Sequence, residues 1–409
     1  MPTRFFRSRT ARQSLGFAGS AVVTNLLAVV STAILTRHLE TDEFGSYAFA
    51  NSLLLLVALF FEFGLFVPAA RLAAMSDPPL KREVVGAALA VYVPVAIAFA
   101  VTILGLSFFI DDWFHVEASS ALQAAAPFVV AVPFGYVLQQ IAQGVDRLHI
   151  ASIAAVVAQL LLVALLAAWV GGGGGLTTAT ALVVRSISFL VAGIAAVFWL
   201  RPLFSHTVRW VRELIRQAWE WGFHQTIGRL LSIGTYNMDV LMLGIWATPR
   251  WVGLYFLAGS IAYATGLPVV GFSAALFPRM AREAAIRRRT LLVAAAIGAV
   301  CSVMAALLAE PAIRIFFSGS YVDAASLVPA LVLAQFVRGI TTIFNTFLSA
   351  HGKGVALRNA GLILTGSNVV FNFTLIPPFG AQGAAWASVL ALVLNLAAHI
   401  WFYKRLYPL

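Results

Sequence analysis

"FGSYAFANSL" (44–53) and "VGLYFLAGSI" (252–261) share Gly, Tyr, Ala and Ser at a constant offset of 208. Each lies where an apolar run begins that is long enough to cross a bilayer, about 20 residues. Two further pairs fall in the same order: GF at 16–17 with GF at 222–223, and FWLR at 198–201 with WFYK at 401–404. The chain reads as one six-span unit written twice. Both copies start on the same side, so the repeat is parallel, with a pseudo-axis along the membrane normal.

Twelve apolar runs carry this reading, at roughly 15–36, 46–69, 84–110, 121–143, 149–170, 176–200, 221–247, 252–277, 290–316, 325–350, 355–377 and 380–403. Hydrophobic residues make up 61% of the chain and charged ones 11%, against about 25% charged in soluble domains. Mean hydropathy is +0.91. The expected fold is an all-α polytopic membrane protein of two six-helix bundles, 1–200 and 221–409, joined by a cytoplasmic amphipathic linker at 201–220. In that linker Arg209, Arg212 and Arg216 fall on one helical face and Val211, Leu214, Ile215 and Ala218 on the other, the pattern of an interfacial helix. The single cysteine, Cys301, excludes an internal disulfide, and no His/Cys cluster has metal-ligand spacing. The basic head MPTRFFRSRTAR precedes an apolar core too long for a cleaved signal, so it reads as a first span that stays in place.

Orientation follows from the cations. With the first residue inside, 21 of the 27 Lys and Arg fall on the inner side, among them Arg4, Arg71, Arg147, Arg279, Arg288 and Lys404. The outer loops hold Arg37, Arg250 and Arg314, and Arg185, Arg229 and Arg338 lie within spans. This asymmetry predicts that both termini lie on the cytoplasmic side. The net charge of +11 is therefore a topology signature, and nucleic acid is not an expected partner. Nine of the ten tryptophans, all but Trp386, fall at span ends or in loops, as an aromatic belt would.

Polar residues inside the spans mark the candidate site. Gln225, Arg229, Ser232, Tyr236 and Asp239 are spaced 4, 3, 4, 3 and share an arc of about 80° on span seven. Span ten repeats the pattern with Gln335, Arg338, Thr342 and Asn345, and span eleven with Arg358, Thr365, Asn368 and Asn372. The first half offers Asn51 and Glu62 in span two, Gln139 and Gln143 in span four, and Arg185 and Ser188 in span six. A charge at mid-bilayer costs about 2.5–3.5 kcal/mol, so such stripes are expected to line a watery cavity. The competing reading is that Arg229, Asp239 and Glu62 form buried ion pairs that only fix packing. Arg229 and Asp239 cannot pair with each other, being ~15 Å apart along one helix. For Arg358, near the inner edge, a snorkelling anchor is an equal alternative.

Four arginines against two carboxylates leave the spans net positive. Guanidinium forks bind phosphate and carboxylate bidentately, and the surrounding amides and hydroxyls can hydrogen-bond sugar. An anionic, sugar- or phosphate-bearing substrate fits this set better than a cationic drug.

RHLETDEFGSYAFANSLLLLVALFFEFGL (37–65) resembles the first outer loop and second span of Wzx-type polysaccharide flippases. YNMDVLMLGIW (236–246) and the following VGLYFLAGSIA resemble their seventh and eighth spans, which commonly have an aspartate at the position of Asp239. FPRMARE (277–283) is similar to their basic loop, and SAHGKGVALRNAGLILTGSNVVFNFTLIPPFGAQGAAWASVLA is the most family-like stretch. The resemblance implies two bundles in a V around a central cavity, alternating access, and export of a lipid-linked oligosaccharide for O-antigen or related polysaccharides. It also implies polysaccharide polymerase and assembly proteins as partners, beside membrane lipids. The superfamily includes multidrug/toxin exporters and 14-span lipid II flippases; twelve runs argue against the latter, and a first span without a carboxylate against cation-coupled drug export. On this reading Arg229, Arg338 and Arg185 hold the anionic head, and Arg358 acts at the inner mouth. Gln139, Gln143, Asn368 and Asn372 touch sugar. Glu62 and Asp239 take up Na⁺ or H⁺, or hold arginines between turnovers, with no resident cofactor.

ETDEF (40–44) puts three acids at the outer start of span two, where a helix N-terminus favours negative charge. Membrane glycosyltransferases also place acids in a first outer loop, but no outer loop here exceeds about ten residues, too few for a catalytic domain. GGGGG (171–175) lacks the Lys-Ser/Thr of a phosphate loop. His224, His351 and His399 are isolated, and no nucleophile–base set or ATP site is present.

Overall fold

The computed structural model describes residues 9–62, 64–222 and 235–407, and its regular structure there is entirely helical. Nine described helices are long and apolar enough to cross a membrane, from Gly19–His38 to Gly354–Leu406. Their side chains confirm an apolar surrounding. On Arg288–Phe316, Leu307 is 71% exposed and Val300 63%. Leaving such a side chain in water forfeits about 1.5–3 kcal/mol, and this helix does so repeatedly. The protein is a multi-pass integral membrane protein.

Local sequence explains where helices deviate from the expected runs. The last helix, Gly354–Leu406, is really two, because Gly380 has φ 54° and ψ −132° just after Pro377 and Pro378. Prolines also break the fourth run. Ser119–Ala125 and Ala131–Gly144 are separated by turns around Pro127, so this run is two short helices rather than one continuous helix. The second run, expected as one helix over 46–69, is Thr41–Phe61 and Phe66–Met75 with a break between them. Gly64 supplies the positive φ of 68° that the break needs. The seventh run falls largely on 223–234, outside the described residues, and resumes as Thr235–Trp246.

The described residues form two compact units. One draws on Met1–Leu39, Ala50–Trp113 and Glu117–Leu230, the other on Glu40–Phe49, Phe114–Val116 and Leu231–Leu409. In the first, Phe66, Val84, Tyr92, Phe134, Ile141 and Leu200 build one core. In the second, Val269, Ile343, Phe344, Phe347 and Tyr403 build another. The second unit also contains both ends of the internal repeat. Gly253 lies against Gly45, where an added Cβ would sit 3.0 Å from the Gly45 nitrogen. A Cβ on Gly45 would overlap the Pro249 carbonyl. Around this crossing Phe44 packs edge-on against Tyr321 at 5.5 Å and against Phe256 at 6.1 Å. The acids before it act as a cap. Asp42 and Glu43 occupy the first turn of Thr41–Phe61, and the Glu43 carboxylate accepts from the Glu40 N–H at 3.4 Å.

Two glycines on different helices, Thr41–Phe61 and Pro249–Met280, should therefore respond in opposite directions. Gly45→Ala forces backbone apart and should lower unfolding free energy by about 1–3 kcal/mol. Gly259→Ala meets nothing within 4 Å and should be neutral or gain up to ~1 kcal/mol from helix propensity. Thermal unfolding of the purified variants reads both.

Candidate functional site

The second unit holds a buried carboxylate. Asp239, 3% exposed on Thr235–Trp246, accepts from the Ser388 hydroxyl at 2.5 Å and the Tyr255 hydroxyl at 3.0 Å through Oδ2. Its Oδ1 accepts from Asn372 Nδ2 at 2.7 Å. The same amide donates to Asn368 Oδ1 at 3.1 Å, one turn back along Gly354–Leu406. Three helices thus converge on one carboxyl group, and each brings a neutral donor. Asn372 Oδ1 is buried and receives no hydrogen bond. An orphan amide oxygen beside a carboxylate is an open acceptor position in a medium where unmet polar atoms cost about 1–3 kcal/mol. Hard oxygens of this kind suit Na⁺ or a proton and not a soft transition metal. Among the described residues no group of three or more His, Cys, Asp or Glu is assembled.

The first unit has its own carboxylate at the helix break. Glu62 is 3% exposed, and the buried Gln140 donates to its Oε1 through Nε2. The backbone around it turns tightly, with Leu65 N–H donating to the Glu62 carbonyl at 3.0 Å. Gln159 Nε2 donates to the buried Ser31 hydroxyl at 3.1 Å, linking the first and fifth runs.

Of the cations of the sequence reading, Arg185, Arg338 and Arg358 are among the described residues. Arg185 is half-buried, with its guanidinium 4.7 Å over the Phe189 ring. Arg338, also half-buried, donates to Gln335 Oε1 at 3.4 Å and lies 5.6 Å over the Tyr263 ring. Arg358 is exposed and reaches Asn359 Oδ1 at 3.3 Å. Gln139 and Gln143 are exposed, whereas Gln140 between them is buried. Arg229, with Gln225 and Ser232, lies outside the described residues. The structure thus brings Asp239, Asn368 and Asn372 together, and it adds Tyr255, Ser388 and Gln140, which stripe analysis missed. Tyr255 is the tyrosine of the repeat, and Ser388 sits in the small-residue stretch GAAWASV. Their types were visible, but which helix they would face was not.

The fold is a set of membrane-spanning helices with buried polar cages in each of the two units. The lipid II flippase MurJ in its inward closed conformation matches with TM-score 0.72 and 13% identity, over 95% of this chain and 87% of that one. A multidrug resistance MATE family transporter of the MOP superfamily matches in its inward-facing conformation with TM-score 0.74 and 14% identity, over 94% and 95%. In its outward-facing conformation the values are 0.64 and 16%, over 96% and 94%. At these identities the likeness is one of fold. Among curated proteins no sequence matches. The family model described as polysaccharide biosynthesis protein matches residues 12–284, and the chain belongs to that family.

If the cage acts as a unit, its members should couple. In a double-mutant cycle on unfolding free energy, Asp239→Asn with Tyr255→Phe should deviate from additivity by about 0.5–3 kcal/mol. Asp239→Asn with Arg358→Gln should add within about 0.5 kcal/mol.

Proposed function

We propose that this chain flips an anionic lipid-linked oligosaccharide, on a polyprenyl-pyrophosphate-type carrier, from the inner to the outer leaflet of a bacterial cytoplasmic membrane. It is a transporter, not an enzyme. The observation that carries the reading is how charge is distributed in the spans. Asp239 accepts hydrogen bonds from Tyr255, Asn372 and Ser388, all neutral. Arg185 and Arg338 are half-buried cations lying over aromatic rings, and guanidinium forks of this kind suit pyrophosphate. Membership of a polysaccharide biosynthesis family supports the glycan. Arg229 serves with them, Arg358 at the inner mouth, and Gln139 and Gln143 toward sugar. Asn368 and Asn372 change role in this reading. They complete the Asp239 cage, which takes up Na⁺ or H⁺ to drive the cycle, and Glu62 is the candidate for a second ion. With the inside negative, moving two negative charges outward also gains roughly 4.6 kcal/mol per 100 mV.

The same fold serves multidrug transporters, and a carboxylate caged by neutral donors suits cation coupling there too. Reconstituted protein separates the readings. Vesicles loaded with pyrophosphate-linked polyprenyl glycan should show translocation that falls about 10–100-fold in Arg338→Gln or Arg229→Ala, the loss expected for one charge-assisted contact. Insertion and folding should be unchanged. Transport of a cationic dye that requires Asp239 and ignores both arginines would sink the proposal in favour of drug export. In the ion test, Asp239→Asn should abolish stimulation by a Na⁺ or pH gradient while leaving glycan binding, followed by tryptophan fluorescence, intact.

A further inference from the structure

We propose that the linker helix Thr207–Gln217 and the neighbouring Phe66–Met75 form a binding site for the phosphate headgroup of an anionic phospholipid. The helix does not present its apolar side as the sequence suggested. Leu214 is 1% exposed and packs with Trp210 and Val211 into the core of the first unit. The Trp210 indole donates to Glu83 Oε2 at 3.0 Å, pinning the helix to the first turns of Pro78–Ser107. The apolar face that would have entered lipid is therefore satisfied by protein. Ile215, expected on that face, is 41% exposed.

What remains outward is a mixture with no structural use. Val208 is 74% exposed and Trp219 79%. Arg209, Arg212 and Arg216 are exposed among them. A cavity of about 550 Å³ lies here, with Leu72 and Val208 as apolar wall and the three arginines as cationic wall. Binding sites for small molecules span about 300–1,000 Å³. Glu213 is the one carboxylate lining it, and Arg216 is committed to it at 2.6 Å and to Glu220 at 3.1 Å. The Arg216 fork, with Gln217, holds the Glu213 carboxyl below its ordinary range, so this pair stays ionised. Among the described residues neither Arg209 nor Arg212 makes an ion pair; Arg209 lies 5.8 Å over the Trp210 ring. Two guanidinium groups are thus available to an anion.

Depth and composition select a lipid over free phosphate. The helix is docked at the end of a span, where headgroups lie, and Phe204, 62% exposed, and Trp219 flank the cations as interfacial aromatics do. An inorganic ion would use the arginines and leave these side chains in water. A phospholipid uses both, with phosphate on the forks and acyl chains along Val208 and Trp219.

The test is native mass spectrometry of the full chain released from micelles doped with phosphatidylglycerol or phosphatidylcholine. Wild type should retain phosphatidylglycerol selectively. The double variant Arg209→Gln/Arg212→Gln should weaken retention ~30-fold, at about fivefold per lost cation. Arg288→Gln/Arg289→Gln, which removes the same charge elsewhere, should not. Equal retention of both lipids, or equal loss in the two double variants, would overturn the proposal. So would displacement of phosphatidylglycerol by millimolar inorganic phosphate, which would make the site one for free phosphate. Size-exclusion profiles matching wild type certify that the variants fold. None of these outcomes depends on whether the transported substrate is a glycan lipid or a drug.

Discussion

An ionisable group inside an apolar span must be compensated where it stands, because no water is there to do it. Asp239 meets that demand with three donors from three stretches of chain: Tyr255 on the next helix, and Asn372 and Ser388 on either side of the Gly380 kink. The kink matters for this reason. It lets one continuous stretch, Gly354–Leu406, turn back and present two donors to the same carboxyl group. Removing a single partner from a buried charge costs about 3–5 kcal/mol, so the position of these helices is tied to Asp239 as firmly as to the surrounding core. The compensation is still incomplete. All three donors are neutral and one amide oxygen is left over, so the cage holds a charge without cancelling it.

Much of the architecture was legible because membrane spans are encoded by composition, which survives any uncertainty about contacts. Among the described residues nine helices follow directly from apolar length. What composition does not encode is a break. Gly64 and Pro127 interrupt apolar runs without making them less apolar, so 46–69 and 121–143 read as continuous although each is two helices. Periodicity reached further into the site. The 4 and 3 spacings picked Asp239, Asn368 and Asn372 from their own helices. The method fails across helices, since nothing in the spacing of Gln139 and Gln143 says that Gln140 is the residue turned toward Glu62. The linker shows the same limit. Its moment is unmistakable, but whether the apolar face meets lipid or protein depends on what stands beside it, and here Leu214 met protein.

The internal repeat separates what duplication kept from what it changed. Gly45 and Gly253 occupy equivalent positions in the sequence repeat and pack against each other. Their companions Tyr47 and Tyr255 have taken different surroundings. Tyr47 stacks at 6.2 Å on Phe44, while Tyr255 gives its hydroxyl proton to Asp239. Packing constrains the backbone and is shared.

The same offset carries that asymmetry to the site itself. Counting 208 back from Asp239 reaches Ser31, also buried, which accepts from Gln159 at 3.1 Å. This pair joins the first and fifth runs as Asp239 and Asn372 join the seventh and eleventh. A serine and an amide satisfy one another at little net cost, about 0.5–1.5 kcal/mol in their favour, and leave no charge behind. The carboxylate at the equivalent place in the second unit costs free energy whenever its charge is left uncancelled. The first unit places its carboxylate elsewhere, Glu62, at a break in the helix and not within a regular turn. Two copies of one fold thus hold buried acids in settings of different stiffness. Asp239 is held by donors from packed helices, whereas Glu62 stands where the backbone is already bent.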